Sequence, residues 1–262
     1  MKIYDGFQFF NELELLDIRF NELYDVVDKF IIVESTKTHQ NNPKPLYFWE
    51  NRDKFSPFLD KVIHHVFDPK ECPYPWYIEN EQRNQLKNAN FTMQDGDIFL
   101  LSDADEILNR ETLINIRENR EPFQKTPATA VMRMSYNYID TIVTEPWDVA
   151  GWRGTVIIPY NFYNQFNLQF FRNQKDNLPR VENAGWHFSF IGGAERIKDK
   201  IESYAHSEYN LKNLKNLNEI NDRIKSLKDP LSRDYIKLTV EKDLSKFPKS
   251  SLKFNNLFYE NA

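Results

Sequence analysis

The feature that most constrains the fold is a continuous β-branched run at residues 29–35, KFIIVES, which ends in polar residues. Strands that are apolar on both faces occur where helices cover both sides of a parallel sheet. Residues 3–10 (IYDGFQFF) form an earlier short, apolar and aromatic run. Between the two runs, Asn11 can cap a helix whose apolar residues recur at helical spacing from Leu13 to Leu23. The opening of the chain therefore predicts a βαβ unit.

Further strands are predicted at residues 62–68 (VIHHVFD) and 97–103 (DIFLLSD), with a helix over 76–88 between them. Strands that alternate with helices at these intervals favour an open α/β sheet. Ligands bind to such sheets beyond the carboxyl ends of the strands. Because Glu34 and Asp103 both fall at predicted strand ends, we expect both at the ligand-binding edge.

The second half of the chain has a different pattern. Residues 128–192 contain several aromatic, β-rich segments and most of the glycines. From Ala194 to Leu227, Lys, Asn, Leu and Glu dominate, which is typical of helices. A length of 262 residues suits one α/β enzyme unit. We therefore expect a catalytic domain over 1–205 and a helical C-terminal extension over 206–262 that packs on it.

Composition excludes several classes of protein. Hydrophobic residues at 40% and charged residues at 28% exclude a disordered chain, and a net charge of −5 gives no global attraction to nucleic acid. A single cysteine, Cys72, excludes an internal disulfide. The first 20 residues carry acidic residues from Asp5 onward, unlike a signal peptide or a membrane anchor. These features predict a cytoplasmic protein.

The segment DIFLLSDADEIL carries the most chemical information. An apolar strand runs directly into Asp103, Asp105 and Glu106. A hard divalent cation would relieve the repulsion between carboxylates at this point, and phosphate oxygens could complete its shell. Such a metal would offset the charge that builds on a diphosphate leaving group. The alternative is an acidic loop that caps a helix.

The Asp-Ala-Asp sequence resembles the Asp-X-Asp signature of glycosyltransferases with the GT-A fold. Four ordered blocks, FFNELELLDIRFNELYDVVDKFIIVES, KPLYF, SDADEI and AGWHFSF, resemble those of glycosyltransferase family 17 over residues 3–205. Ordered blocks are more specific than one short motif. The resemblance implies a Rossmann-like GT-A fold, with a mixed, mainly parallel sheet flanked by helices. It also implies inverting transfer of N-acetylglucosamine from UDP-N-acetylglucosamine, helped by Mn²⁺ or Mg²⁺.

The same resemblance implies roles for individual residues. Asp105 would bind the metal directly, and Asp103 would bridge to the ribose or the metal. His187, in AGWHFSF, would be a third metal ligand, with His206 as a weaker candidate. The nucleotide-sugar-binding residues would be Phe10, Asn11, Glu12, Glu34, Arg83 and Asp103. Glu34 has helix capping as its alternative role, and Arg83 a surface ion pair.

Inverting transfer needs a base for the acceptor hydroxyl, which the second half of the chain is expected to supply. Glu195 is the preferred candidate for this base, with a plain acidic residue at a helix N-terminus as its alternative. It comes shortly after two glycines at a helix start, GGAERIKDKI, and this resembles the Gly-Gly-Glu helix start at the acceptor site of galactosyltransferases. Glu182 and Asp148 are rivals for the role. Aromatic residues that can stack on sugars, with core packing as the alternative, are Trp147, Trp152, Trp186, Tyr136 and Tyr138.

Other functions are open at this stage. A sugar-phosphate nucleotidyltransferase would share acidic metal ligands, but it should show a Gly-rich phosphate loop, and Gly6 is the only glycine before Gly96. A glycosidase with two carboxylates would need neither nucleotide nor metal. A catalytically silent carbohydrate-binding protein is the third alternative. The expected ligands are a nucleotide-sugar donor and a glycan acceptor, with no nucleic acid.

Overall fold

The structure is a computed structural model that describes residues 1–70, 74–146 and 151–259. The sequence-based interpretations of Cys72, Trp147 and Asp148 fall outside the described residues. Within these limits, no helix is long and apolar enough to cross a membrane.

Ten strands form one sheet in the described part of the chain. In chain order they are β1 Ile3–Phe9, β2 Lys29–Ser35, β3 Val62–Phe67, β4 Ile98–Asp103, β5 Glu106–Leu108, β6 Ala128–Tyr136, β7 Thr141–Glu145, β8 Trp152–Pro159, β9 Arg180–Ser189 and β10 Lys237–Val240. The main path across the sheet runs β10, β7, β6, β8, β4, β1, β2, β3, and β9 pairs with β5 and β6.

The α-helices of the described residues lie between and beside these strands. They are α1 Leu13–Leu23, α2 Tyr47–Asn51, α3 Pro75–Asn84, α4 Arg110–Glu118, α5 Arg120–Lys125, α6 Tyr160–Tyr163, α7 Leu168–Gln174, α8 Gly193–Ser203 and α9 Leu217–Lys225. The 3₁₀ segments are Arg52–Lys61, Gln85–Asn88, Lys175–Asn177, Ser207–Tyr209, Leu244–Lys246, Lys249–Lys253 and Asn255–Leu257.

The N-terminal half has the predicted βαβ arrangement, because β1 pairs in parallel with both β2 and β4, and β2 pairs in parallel with β3. Side chains alternate between the two faces of these strands. On β2, Phe30 and Ile32 pack with Leu16 and Phe20 of α1 on one face, whereas Ile31 packs on the other face. Burial on both faces explains the continuous apolar run. The predicted α/β class, with a mixed sheet flanked by helices, is confirmed.

The second half adds strands that bring new side chains to the same edge of the sheet. β8 runs antiparallel to β4, and β6 runs antiparallel to β8. β9 runs parallel to β6, with His187 opposite Met134. Helix α8 follows β9 directly, so this half of the chain reaches the carboxyl edge where β1 and β4 end.

The C-terminal segment is only partly helical, which corrects the predicted helical tail. Helix α9 begins where the Asn216 side chain accepts hydrogen bonds from the backbone N–H groups of Asn218 and Glu219. Beyond it, β10 pairs antiparallel with β7. That edge offers backbone hydrogen-bonding groups that a strand satisfies and a helix cannot. The end of the chain therefore extends the sheet.

Candidate active site

A cleft of about 570 Å³ lies at the carboxyl ends of β1 and β4. Its walls come from the segments that follow β1 and β2, from α3 and α7, from β6 and β9, and from α8. This is the edge at which open α/β sheets bind ligands. Asp103, Ala104 and Asp105 line the cleft, so the acidic segment singled out from the sequence belongs to this site.

Asp103 is the last residue of β4 and is held by two arginines. Nη2 of Arg83, on α3, lies 3.1 Å from its Oδ1 atom, and Nη2 of Arg172, on α7, lies 2.5 Å from its Oδ2 atom. Burial by itself raises the pKa of Asp103, but the two guanidinium groups outweigh it and lower the pKa to about 2. Asp103 is therefore ionised and ion-paired.

Asp105 lies deeper and faces a lysine and a histidine. Nζ of Lys200, on α8, is 2.7 Å from Oδ2 of Asp105, and Nε2 of His187, on β9, is 3.4 Å from Oδ1. Burial opposes ionisation, yet Lys200 and His187 lower the pKa of Asp105 far below its ordinary value. The carboxylate is therefore charged throughout the physiological pH range.

Strand pairing brings Asp105 to His187. β5 begins immediately after Asp105 and pairs antiparallel with β9, where Glu106 lies opposite His187. The backbone N–H of Phe188 donates to the carbonyl oxygen of Asp105 at 2.8 Å. Two segments that are about 80 residues apart in the chain thus meet through a short backbone ladder.

Arg19, on α1, holds the turn between β4 and β5 through hydrogen bonds to its backbone. Its Nη1 atom donates to the backbone carbonyls of Asp103, Ala104 and Glu106, at 3.2, 3.3 and 2.9 Å. Its other nitrogens bind both carboxylate oxygens of Asp5 at 2.7 Å, and both side chains are almost completely buried. A buried guanidinium with all these partners satisfied holds the acidic turn in one conformation.

Glu106 is structural, although it belongs to the same acidic segment. It is fully buried and accepts hydrogen bonds from Arg172 at 2.7 and 2.9 Å and from the Trp152 indole N–H at 2.9 Å. Arg172 thus joins Glu106 to Asp103. The Glu106 contacts keep the arginine aimed at the cleft.

Arg172 and Lys200 were not among the site residues predicted from the sequence. Arg172 lies within LQFFRNQ, and Lys200 is one of several basic residues of GGAERIKDKI. Neither position carries a motif that separates it from an ordinary exposed helix cation. Only the tertiary structure turns these two side chains toward the acidic segment.

The predicted three-residue metal set of Asp103, Asp105 and His187 does not form. Asp103 directs its two oxygens at arginines in this structure, and its role as a metal ligand stays a prediction. Across the described ranges, no group of three or more His, Cys, Asp and Glu residues could hold a metal ion. Asp105 and His187 do converge, and a carboxylate oxygen beside an imidazole nitrogen suits a divalent cation. These two residues fit a partial shell.

Four residues from the predicted nucleotide-binding set line the cleft, and these are Phe10, Glu12, Arg83 and Asp103. The Oε2 atom of Glu12 accepts the backbone N–H groups of Phe10 and Asn11 at 3.3 and 3.1 Å. Burial raises the pKa of Glu12, which Lys200 partly offsets. Asn11 itself lies at a small adjacent cavity instead.

Glu34 does not reach the cleft, contrary to the prediction that it binds the nucleotide. It is fully buried, and Oε1 and Oε2 accept the backbone N–H groups of Phe48 and Trp49 at 2.9 and 3.4 Å. Nε2 of His64 lies 3.1 Å from Oε2. Its carboxylate therefore satisfies the N-terminal backbone groups of α2, the alternative that the sequence left open.

Glu195, the predicted catalytic base, lies outside the cleft. It is exposed in the first turn of α8 and does not line the cleft, because the helix turns Lys200 and Ser203 inward instead. Its rival Glu182 is exposed on β9, 3.9 Å from Arg180. Neither carboxylate is in contact with the site.

The remaining candidates divide between the cleft and the core. Three of them, His206, Trp152 and Tyr136, line the cleft. Trp186 donates its indole N–H to the Lys246 carbonyl at 2.8 Å and does not line the cleft. Tyr138 is buried in an apolar cluster and does not line the cleft either.

These features define an α/β protein with an ionic cleft at the carboxyl edge of its sheet, suited to an anionic ligand. The chain belongs to glycosyltransferase family 17, whose sequence profile matches residues 1–261. This finding confirms the resemblance found in the ordered sequence blocks.

Similar proteins include the β-1,4-mannosyl-glycoprotein 4-β-N-acetylglucosaminyltransferases of Rattus norvegicus and Homo sapiens. Each is 26% identical to this chain, and the match covers 76% of this chain and 42% of the relative. The chain thus matches less than half of the length of these relatives. Among solved structures, S. aureus TarS 1–349 is similar with a TM-score of 0.44 and 11% identity, covering 86% of this chain and 72% of that one.

Proposed function

We propose that this chain is an inverting glycosyltransferase that moves N-acetylglucosamine from UDP-N-acetylglucosamine to a hydroxyl group of a glycan. Membership of family 17 supports sugar transfer. The names of the rat and human relatives support N-acetylglucosamine as the sugar. The chemistry of the cleft supports a diphosphate-linked donor.

The observation that carries this proposal is the set of cations around the acidic turn. Arg83 and Arg172 meet at Asp103, and Lys200 lies against Asp105. All three cations line the cleft at the edge where α/β sheets bind ligands. Charge-assisted hydrogen bonds from such groups suit a diphosphate, and they strengthen as charge develops on the departing nucleoside diphosphate. Lys200 is the cation closest to Asp105 and is our candidate for this contact.

We further propose that Asp105 and His187 hold a divalent cation, Mn²⁺ or Mg²⁺, together with the donor. Lys200 contacts Oδ2 of Asp105, and His187 faces Oδ1. One carboxylate oxygen can therefore bind a metal while the other keeps its lysine. The metal would neutralise charge on the diphosphate. Asp103 would act through its arginines rather than as a ligand.

The nucleotide is proposed to lie toward the carboxyl end of β1. Phe10 lines that part of the cleft, with its ring edge-on to Tyr47 and with the Lys44 ammonium group 5.5 Å from its centre. A ring face at this position suits a stacked base. For the catalytic base, Asp148 stays a candidate from the sequence, since Glu195 and Glu182 do not line the cleft.

A thermal-shift titration tests the proposal. UDP and UDP-N-acetylglucosamine should raise the melting temperature, and the rise should be larger with Mn²⁺ than with a chelator, because a bound ligand stabilises only the folded state. Release of UDP from UDP-N-acetylglucosamine should accompany binding. Absence of stabilisation by either nucleotide would reject the donor site. Equal stabilisation with the metal and with the chelator would reject the metal alone.

A further inference from the structure

One end of the cleft is lined by aromatic rings and differs from the ionic centre. Neighbouring ring centres lie 4.5 to 6.1 Å apart, and all of the rings line the cleft. This aromatic wall consists of Tyr136, Phe190, Tyr204, His206, Trp76 and Tyr209. It combines residues from β6, from the segments around α8 and from α3.

The aromatic wall begins beside the reacting centre. Nζ of Lys200, which is 2.7 Å from Asp105, lies 5.0 Å from the centre of the Phe190 ring. From Phe190 the rings continue through Tyr204 and His206 to Trp76, which is 45% exposed. The wall therefore leads from the acidic turn toward solvent, as a path for an extended ligand must.

The wall contains a polar group that its own fold leaves unused. The Tyr204 hydroxyl is buried and has no hydrogen-bond partner among the described residues. An unsatisfied buried hydroxyl costs free energy, so a ligand that supplies a partner gains affinity at this point. Burial also raises the pKa of Tyr204, which keeps the hydroxyl protonated.

Two basic side chains at the wall lie beside carboxylates. Arg233, whose guanidinium lies over the Tyr136 ring, is 2.7 Å from a carboxylate oxygen of Asp229. Nδ1 of His206 lies 2.6 Å from Oε1 of Glu208. Each of these two basic side chains therefore has a carboxylate partner. A neutral, hydroxyl-rich ligand with flat apolar ring faces suits the surface better than an anionic ligand.

We propose that the aromatic wall binds the acceptor as a neutral oligosaccharide, with sugar rings against Trp76 and Tyr204 and a sugar hydroxyl bonded to the Tyr204 hydroxyl. This assignment rests on the proposed glycosyltransferase function and adds the class of acceptor. The nucleotide is proposed to lie beside Phe10, which is not one of the rings of the wall, so the wall is expected to contribute to acceptor binding and not to donor binding.

Two wall variants and two matched controls test the proposal. Trp76→Ala removes a ring of the wall, and its control Tyr77→Ala removes the adjacent ring, which is 52% exposed but does not line the cleft. Tyr204→Phe removes the unused hydroxyl, and its control Tyr163→Phe removes another buried, unpartnered hydroxyl outside the cleft. Melting temperatures establish that each variant is folded.

The measurements are calorimetric affinities for UDP and UDP-N-acetylglucosamine, and retention on an array of neutral oligosaccharides in the presence of UDP. Both wall variants should bind glycan about tenfold more weakly, which corresponds to a loss of about 1.4 kcal/mol of binding free energy. Their nucleotide affinities should stay within about twofold of the wild type. The two controls should change neither quantity.

The outcomes that overturn the proposal are distinct from failure of the donor assignment. If Trp76→Ala or Tyr204→Phe weakens UDP binding, the wall belongs to the donor site. If the wild type binds UDP but retains no neutral glycan, or if the wall variants retain glycan as the wild type does, the acceptor assignment is wrong. If the wild type binds no UDP, the proposed function itself fails.

Discussion

Two strands that end at the same edge of the sheet each carry a carboxylate near the end, but one carboxylate is buried and the other is exposed to the cleft. Glu34 is the next-to-last residue of β2 and Asp103 is the last residue of β4. Both strands pair in parallel with β1, where Glu34 lies opposite Phe9 and Asp103 opposite Gln8. The side chain of Glu34 is 0% exposed, whereas that of Asp103 is 32% exposed to the cleft. A carboxylate at a strand end is therefore available to a ligand only if the following segment leaves it uncovered.

The following segments differ in what they offer each carboxylate. After β2 the chain returns as α2, whose backbone N–H groups bind Glu34. After β4 the chain turns directly into β5, and in the described part of the chain the Asp103 carboxylate is held by the side chains of Arg83 and Arg172. Backbone groups of a packed helix are fixed, but side-chain cations can exchange one anionic partner for another. The first arrangement stabilises the fold, and the second can respond to a ligand.

The largest effect is expected for Asp105→Asn, at the functional strand end. Turnover of UDP-N-acetylglucosamine should fall by roughly two to three orders of magnitude, the range for loss of one electrostatic contact to a transition state. The fold should survive, since the amide keeps the size of the side chain. Steady-state kinetics and a melting curve check both points. Near-normal turnover would show that the acidic turn is structural, as Glu34 is.

The second-largest effect is expected for a substitution of Lys200, whose ammonium group faces this turn. Lys200→Met should weaken UDP binding by roughly tenfold to a hundredfold, the range for loss of one hydrogen bond to a charged group. Lys198→Met, on the same helix but outside the cleft, is the matched control. Calorimetry with UDP, UMP and uridine provides the measurement. Equal losses for UDP and uridine would contradict a diphosphate contact.

At the buried strand end, Glu34→Gln should lower the free energy of unfolding by about 2 kcal/mol, because it replaces a charged acceptor of backbone N–H groups. UDP affinity per folded molecule should not change. Chemical denaturation and calorimetry measure the two quantities. If Glu34→Gln weakened UDP binding and left the free energy of unfolding unchanged, the structural role of Glu34 would be rejected.

The smallest effect is expected for Glu195→Gln, which tests whether exposure alone makes a site residue. Glu195 is exposed at the start of α8 but does not line the cleft. Turnover should stay within about twofold of the wild type, far from the hundredfold or greater loss expected for a general base. Kinetics of Glu195→Gln beside those of Asp148→Asn would compare the two candidates. A hundredfold loss in Glu195→Gln would restore it as the base.

The sequence by itself determined the opening βαβ unit and the family. Continuous apolar runs such as residues 29–35 carry their structural meaning locally, because a strand that is apolar on both faces has to be covered on both. The sequence also singled out Asp103, Asp105, Arg83 and His187, which the structure brings together at one cleft. Their roles with a donor or a metal stay predictions.

The tertiary structure alone decided which charged side chains face one another. Lys200 and Arg172 carry no local signal, yet the paths of α8 and α7 turn them toward Asp105 and Asp103. The sequence places Glu34 near a strand end, as a site residue would be, but in the structure α2 covers it. The physical reason is that charges interact through space, over a few ångströms, between segments far apart in the chain. Local pattern fixes where a strand ends, and only packing fixes what lies beyond its end.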